Sequence, residues 1–484
     1  MKAGKILTGL DMSTHYPVII IGSGQAGGPL AQAFAKAGTR TALIESTHVG
    51  GTCVNEGCTP TKTMVASARV AYLASRAESY GVRLKRSSVT VNMETVRRRK
   101  REMVDSFRSG GESRITGTEN LDLLMGKARF VEEKKIELVM NETKEVRILS
   151  AGQVFINTGC SPAKLAVQNV DQITGHVLNS TTIMELEEVP KHLIVVGGGY
   201  VGVEFAQMFR RFGARVSLVQ RGRQLLANED PDVAEAVKDI LVEGGIDVYL
   251  EAKTNFVHNV TLGQIVLQLS FPDGSVKSLL ASHLLGAAGR VPNTPDLGLA
   301  SAGVEVDHRG FVKVDDHLQT TAPDVYALGD VKGGPQFTHI SYDDFRLIRQ
   351  NLITDVNSNQ LRSIKDRLVP YTVFIDPPLG RVGLTEKEAR AKYPDRKIKV
   401  AKMPMAYVAR ALETDETKGF MKAIVDGDTK EILGFACLGG EGGEIMSMVQ
   451  LAMMGGLTYD KLESAIFAHP CWSESLNNLW GFLE

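Results

Sequence analysis

The sequence predicts an α/β fold built on two copies of one strand–glycine turn–helix–strand unit, followed by a smaller mixed α/β segment. Three observations carry this. A fully apolar strand, Pro17-Val18-Ile19-Ile20-Ile21, runs into Gly22-Ser23-Gly24-Gln25-Ala26-Gly27, a helical stretch over 29–36 and a second apolar strand over 40–45. The same pattern returns at 193–196, with Gly197-Gly198-Gly199-Tyr200-Val201-Gly202, a helix to Phe212 and a strand over 216–219. The copies are in register at an offset of 175, pairing Gly22 with Gly197, Gly24 with Gly199, Gly27 with Gly202 and Gly38 with Gly213. Finally, 484 residues suffice for two to four domains with sizeable cores.

Composition excludes several classes. The chain is 43% hydrophobic and 23% charged, with a net charge of −1, so no global field draws it to nucleic acid or anionic membranes. No apolar run approaches the roughly 20 residues of a membrane span, and residues 1–15 are polar without a secretory pattern. Five cysteines at irregular spacing do not make a secreted disulfide framework, which points to a reducing cytoplasm.

In the first unit the glycines let the backbone approach a pyrophosphate at the helix N-terminus, and Glu45 closes the second strand, placed to bind ribose hydroxyls. A Rossmann-type dinucleotide site is expected here. Next comes Gly50-Gly51-Thr52-Cys53-Val54-Asn55-Glu56-Gly57-Cys58-Thr59-Pro60-Thr61-Lys62. On an ideal helix residues five apart lie roughly 8–9 Å apart and about 140° round the axis. A disulfide needs Cα atoms within about 7 Å, so a bond between Cys53 and Cys58 requires an irregular backbone between them. Gly57 permits one. Pro60 suits the first turn of a helix that should run to about Tyr80, with Met64, Ala68 and Tyr72 on one face and Gly81 as its stop. Cys58 would then lie near a helix N-terminus, where the macrodipole favours a thiolate. Two small buried residues, or half of a metal site, are the alternatives that the pair alone leaves open.

Farther on, Arg97-Arg98-Arg99-Lys100-Arg101 lies in a helical stretch over 93–107 and reads as a solvated face rather than a nucleic-acid patch. A strand-rich region ends at Val154-Phe155-Ile156-Asn157-Thr158-Gly159. The second unit then differs from the first at one informative place. Glu45 stands 23 residues after Gly22, and the residue 23 after Gly197 is Gln220, followed by Arg221 and Arg223. A carboxylate repels a 2′-phosphate whereas guanidinium groups bind one, so the second site favours NADP(H), although Gly202 occurs in many NAD sites.

With these motifs in place, the chain resembles the class I pyridine nucleotide-disulfide oxidoreductases, the flavoprotein disulfide reductases, from about residue 16 to 480. The cysteine segment is similar to the family's redox-active disulfide motif. Residues 286–294 resemble the return from the nucleotide domain, 321–330 the second flavin motif ending in Asp330, and 467–474 the C-terminal acid/base motif. The resemblance implies FAD in the first dinucleotide site and NADPH, less readily NADH, in the second. It implies a flavin-side thiolate at Cys58, an interchange thiol at Cys53, and His469 oriented by Glu474 as the acid/base. Cofactor contacts carry over to Gly22, Gly24, Gly27, Glu45, Gly51, Thr52, Lys62, Ala128, Thr158, Gly159, Gly197, Gly199, Tyr200, Gly202, Glu204, Arg221, Arg223, Gly289 and Asp330. Among these, Glu204 would pair with Lys62 beside the reactive flavin edge and Tyr200 would be a lid over the nicotinamide pocket. No resident metal site is expected.

The family's segment at 467–474 reaches the other subunit's disulfide, which implies a homodimer with shared active sites. The implied organisation is a FAD-binding domain over 1–160 and 286–365, an NAD(P)H-binding domain over 161–285, and an α+β dimerisation domain over 366–484 that opens with a strand at 373–378. Departures narrow the substrate. Gln32 and Ala33 stand where glutathione reductases carry substrate-holding arginines, and residues 477–484 lack the redox tail of large thioredoxin reductases. The vicinal C-terminal cysteines of mercuric reductases are missing, though the cysteine segment and Val408-Ala409-Arg410-Ala411 are similar to that branch. The expected activity is NADPH-dependent reduction of a small-molecule or protein disulfide. The alternatives are reduction of a thiophilic metal ion such as Hg(II) or Cu(II), a dihydrolipoamide-dehydrogenase-like reaction, and a flavin-binding subunit whose task is assembly. Glu56 inside the cysteine loop and Cys471 beside His469 depart from the family pattern, and solvent exposure and steric replacement are their simplest explanations. Cys160 and Cys437 read as packing residues.

Overall fold

The computed structural model describes residues 14–261, 263–355 and 360–484; the polar stretch 1–13 lies outside the described residues. The chain forms two compact units. The first comprises Met1–Thr59, Glu102–Ser161 and Arg290–Arg367, and the second Pro60–Arg101, Pro162–Gly289 and Leu368–Glu484.

In the first unit the strand Thr14–Ile21 sits mid-sheet, parallel to Thr41–Glu45 on one side and Val146–Ile156 on the other. Val325–Ala327 extends the parallel order beyond Val146–Ile156, and Leu121–Glu132 extends it beyond Thr41–Glu45 before folding back through the antiparallel Lys135–Met140. Strands covered on both faces read as unbroken apolar runs, which is why 17–21 carries no alternation. Ile19 and Ile21 pack with Ile44, Val154 and Ile156 on one face, and Val18 and Ile20 with Leu30 and Phe34 of the helix Gly27–Lys36 on the other.

The second unit repeats the parallel order with Arg215–Val219, His192–Val196 and His283–Gly286 at its centre. A three-stranded antiparallel sheet, Lys253–Thr261, Gln264–Ser270 and Val276–Ala281, is inserted in sequence before His283–Gly286. The C-terminal segment forms a five-stranded antiparallel sheet ordered Tyr371–Val373, Leu379–Gly383, Ile432–Leu438, Phe420–Asp426, Ile398–Pro404, with the helix Gly442–Met454 packed against it.

Several expected bounds change. The helix beginning at Cys58 stops at Ser75, and a 3₁₀ turn Ala77–Tyr80 carries the chain to Gly81, whose φ of +79° ends it. The helix from Met93 runs to Thr116 through Gly110 and Gly111, because buried Ile115 holds its last turn in the core. Its basic run is not a solvated face throughout: Lys100 is buried against Glu185, Arg101 also pairs with Glu185, Arg97 reaches Glu187 and Arg99 donates to the Thr63 carbonyl. The strand expected over 373–378 ends at Val373, because the next amides are taken by side chains: Phe374 N–H donates to Glu204 (2.8 Å) and Asp376 N–H to Gln207 (2.7 Å), and two prolines follow.

Candidate active site

The first glycine turn is held by its neighbours. Gly22 has φ of +103°, and a Cβ there would lie 2.3 Å from the Asn157 carbonyl oxygen, so only glycine fits. Asn157 pins the turn further: its Oδ1 accepts from Gly27 N–H (2.9 Å) and its Nδ2 donates to the Leu328 carbonyl (2.9 Å), just before Asp330. The helix Gly27–Lys36 has no acid in its first turn, so apart from Gly27 N–H, which Asn157 holds, its positive N-terminus is directed at whatever the turn holds. Glu45 is buried; its Oε2 accepts from Ser23 N–H (3.0 Å) and Ser23 Oγ (2.6 Å), and its Oε1 from Thr47 N–H (2.8 Å).

The cysteine loop is fastened to this turn. Ser23 Oγ accepts from Gly50 N–H (3.1 Å), and Gln25 Nε2 donates to the Gly50 carbonyl (3.2 Å). Gly51, at φ of +62°, lies so close that a Cβ would stand 2.7 Å from Gly24 Cα. A short helix Gly51–Asn55 carries half-buried Cys53; the backbone breaks at Glu56 and Gly57, and the helix Cys58–Ser75 starts on exposed Cys58. The irregularity that a bond between the cysteines requires is present. Cys58 Sγ lies 3.4 Å from Thr338 Oγ1, at the start of the helix Thr338–Arg349. Thr52 and Glu56 are exposed, and Arg108 braces the loop by donating to Asn55 Oδ1 (2.7 Å).

In the second unit Gly197 has φ of +117°, and a Cβ on Gly202 would lie 1.8 Å from the Gly197 carbonyl oxygen, while Gly199 has open space around it. The repeat extends to side-chain contacts. Gln220 Oε1 accepts from Gly198 N–H (3.1 Å), as Glu45 accepts from Ser23 N–H, so the amide does the structural work of the acid without its charge. Arg221 is exposed, and Arg223 is paired with Glu251 (3.2 Å). Lys62 Nζ donates to Glu204 Oε2 (2.7 Å), and the other oxygen of Glu204 takes Phe374 N–H, which fixes the carboxylate at both ends. Tyr200 opens the helix Tyr200–Phe212 and lies against Tyr371, ring centroids 5.2 Å apart.

At the C-terminal end Glu474 receives His469 Nδ1 at 2.9 and 3.1 Å. A carboxylate on Nδ1 selects the tautomer protonated there, which leaves Nε2 as the lone-pair nitrogen of an exposed ring. Of the remaining expected residues, Thr158 exchanges hydrogen bonds with Asn293, Gly159 accepts from Asn293 N–H, and Ala128 sits on Leu121–Glu132 opposite Leu138. Gly289 is exposed at φ of +124°. Asp330 follows Gly329, whose N–H is taken by fully buried Asp344, and burial raises the Asp330 carboxyl pKa against the opposing pull of Arg290 and Lys332. Cys160 and Cys437 are buried and their thiols are pushed up to about 12 by desolvation, as packing residues should be. Cys471 is exposed beside a cavity of about 530 Å³ lined also by Arg410, Glu441, Met448 and Trp472. Among the described residues no cluster of three or more His, Cys, Asp and Glu could hold a metal ion.

Sequence reasoning missed Asn157, Ser23, Thr338 and Asp344, which organise the turn and the thiols. Asn157 alone carried a signal, the polar residue ending a buried strand. The residues fit a flavin dinucleotide in the first unit, where the glycines admit backbone approach and no acid opposes phosphate at the helix start. They fit a nicotinamide dinucleotide in the second on the same grounds, with Gly199 open.

Residues 16–344 match the family described as pyridine nucleotide-disulphide oxidoreductase, and residues 369–479 its dimerisation domain. The chain belongs to this family of FAD-dependent disulfide oxidoreductases. It is similar to the probable pyridine nucleotide-disulfide oxidoreductase RclA of Escherichia coli, 37% identical over 97% of this chain and 99% of the relative. A mercuric reductase of Lysinibacillus sphaericus is 33% identical over 96% of this chain and 81% of the relative. Among solved structures, the Cu(II) complex of the HOCl-induced flavoprotein disulfide reductase RclA from Escherichia coli superimposes with a TM-score of 0.85 at 36% identity, covering 97% and 99% of the two chains. None of the described helices is long and apolar enough to cross a membrane.

Proposed function

We propose that the enzyme is an NADPH-dependent reductase of a disulfide substrate, in which Cys53 and Cys58 are the redox pair and His469 with Glu474 the acid/base. The observation that carries the reading is the fastening of the cysteine loop onto the first glycine turn through Gly51, Ser23 and Gln25. The Cys53 thiolate attacks one sulfur of the substrate, the substrate S–S bond breaks, and the departing thiolate takes a proton from His469. Cys58 then attacks the Cys53 sulfur, forming the Cys53–Cys58 disulfide and releasing the second substrate thiol. The chemistry FAD supplies when bound is transfer of two electrons from reduced nicotinamide to that disulfide. Glu204 keeps the Lys62 ammonium fixed, and Glu474 keeps His469 Nε2 ready to exchange a proton.

Preference for NADPH rests on the loss of charge at Gln220 and on exposed Arg221. Domain roles follow the motifs: 1–160 with 286–365 for FAD, 161–285 for NADPH, and 366–484 for a homodimer in which each copy supplies His469 to the other. A cytoplasmic setting suits a chain whose five cysteines are two packing residues, one proposed redox pair and exposed Cys471. A second reading, reduction of Cu(II) or Hg(II), is favoured by the Cu(II) complex of a structure 36% identical. Steady-state turnover of disulfides and of these ions by wild type, Cys53→Ser and His469→Ala separates them. Disulfide turnover collapses in both variants under the first reading, whereas metal reduction that survives loss of the histidine establishes the second.

A further inference from the structure

The helix carrying the second glycine turn's nucleotide contacts is wired into a buried polar chain that the chemistry above leaves unused. Tyr200, the residue after Gly199, is hydrogen-bonded through its hydroxyl to Tyr371, and the Tyr371 hydroxyl donates to Glu229. A carboxylate only accepts, so the chain has one direction, Tyr200 to Tyr371 to Glu229. Burial and the Glu229 charge push the Tyr371 phenol up, which keeps it a donor. Beyond Glu229 the chain ends on Arg381, 2% exposed, which pairs with Glu229 Oε2 at 3.6 Å and with Asp230 at 3.5 Å.

Arg381 fixes Glu229 as a carboxylate from the far side. Tyr371 donates to the other oxygen of Glu229 and lies against the Tyr200 ring. We propose that Tyr371 and Glu229 are positioning residues: Glu229 holds the Tyr371 hydroxyl, and Tyr371 holds Tyr200 in its resting place at the second glycine turn. The resting contact is then a barrier that an arriving nicotinamide ring must displace. This rests on the reading of 161–285 as the nicotinamide nucleotide domain with Tyr200 over its pocket.

The test is calorimetric titration of the flavin-loaded protein with NADP⁺ and with 2′,5′-ADP, which lacks the nicotinamide; NAD⁺ and ADP serve if the enzyme takes NADH. Tyr371→Phe deletes one hydroxyl and keeps the ring. Losing a net hydrogen bond of the resting state should tighten NADP⁺ about fivefold and leave 2′,5′-ADP unchanged. Glu229→Gln, a weaker acceptor of the same shape, should show the same split to a smaller degree, and it carries the test if the phenylalanine variant does not fold. Equal shifts for both ligands, or no shift for either, overturn the inference. Tyr200→Ala separates it from the reading beneath: if that variant leaves NADP⁺ affinity at the wild-type value, Tyr200 is not over the nicotinamide pocket and the reading itself fails. If Tyr200→Ala changes NADP⁺ binding while Tyr371→Phe and Glu229→Gln do not, only the positioning role is lost.

Discussion

Gly51 shows how one residue ties a reactive loop to a cofactor turn. It takes a left-handed φ of +62°, and its α-carbon packs against Gly24 with no room for a methyl group. Alanine there meets both obstacles: roughly 1–2 kcal/mol for the left-handed conformation and a backbone clash that a flexible side chain cannot relieve. Gly51→Ala is expected to lower flavin retention, read as the ratio of absorbance at 450 nm to that of the protein, and to lower the thermal midpoint; full retention at wild-type stability would show the loop is not anchored there. Thiol chemistry separates the cysteines at the same scale. Cys160 and Cys437, buried and pushed up to about 12, should resist iodoacetamide in the reduced native protein at pH 8, and mass spectrometry should find them labelled only after denaturant is added. Much of this was legible. The offset repeat marked Gly22, Gly197, Glu45 and Gln220 because a dinucleotide turn tolerates few residue types. The roles of Asn157 and Thr338 were not, because they act through contacts between segments more than 100 residues apart, which no local pattern specifies.

At the scale of elements, the helix Tyr200–Phe212 is stitched along one side to the segment that follows Tyr371–Val373. Glu204 takes Phe374 N–H, Gln207 brackets Asp376 by accepting its N–H (2.7 Å) and donating to its carbonyl (2.9 Å), and Arg211 pairs with its carboxylate (2.5 Å), which Arg69 also reaches. Residues 204, 207 and 211 recur at helical spacing, so one face of the helix replaces the strand partner that a strand over 373–378 would need. That is why the sequence pattern overran the strand: side chains from a helix 170 residues earlier satisfy the backbone. Gln207→Ala should leave both Asp376 backbone groups without their partner. At about 1–3 kcal/mol for each buried unsatisfied group, the expected loss is several degrees of thermal midpoint, with the flavin spectrum unchanged. A midpoint equal to wild type would mean that water replaces the amide without penalty.

For the whole molecule, the outward side of Gly442–Met454 is the informative surface. Ile445, Val449 and Ala452 face the sheet, while Leu451 is 67% and Met454 66% exposed, an apolar stripe at helical spacing inside the matched dimerisation domain. Stripes of this kind are covered by a partner in stable oligomers. Leu451→Glu places a carboxylate in that exposed stripe and leaves the buried side of the helix untouched. We expect sedimentation velocity to shift the protein from dimer to monomer while the flavin stays bound. The two half-reactions then answer differently. On the proposed assignment, reduction by NADPH uses residues of one chain and should proceed at the wild-type rate in a stopped-flow mixing experiment. On the proposed role of His469, supplied by the second copy, disulfide turnover should fall by the factor of roughly 10²–10⁴ that a positioned acid/base contributes. A monomer that still turns over disulfide at full rate would place the acid/base within the same chain as its thiols. A variant that stays dimeric would move the interface away from this helix.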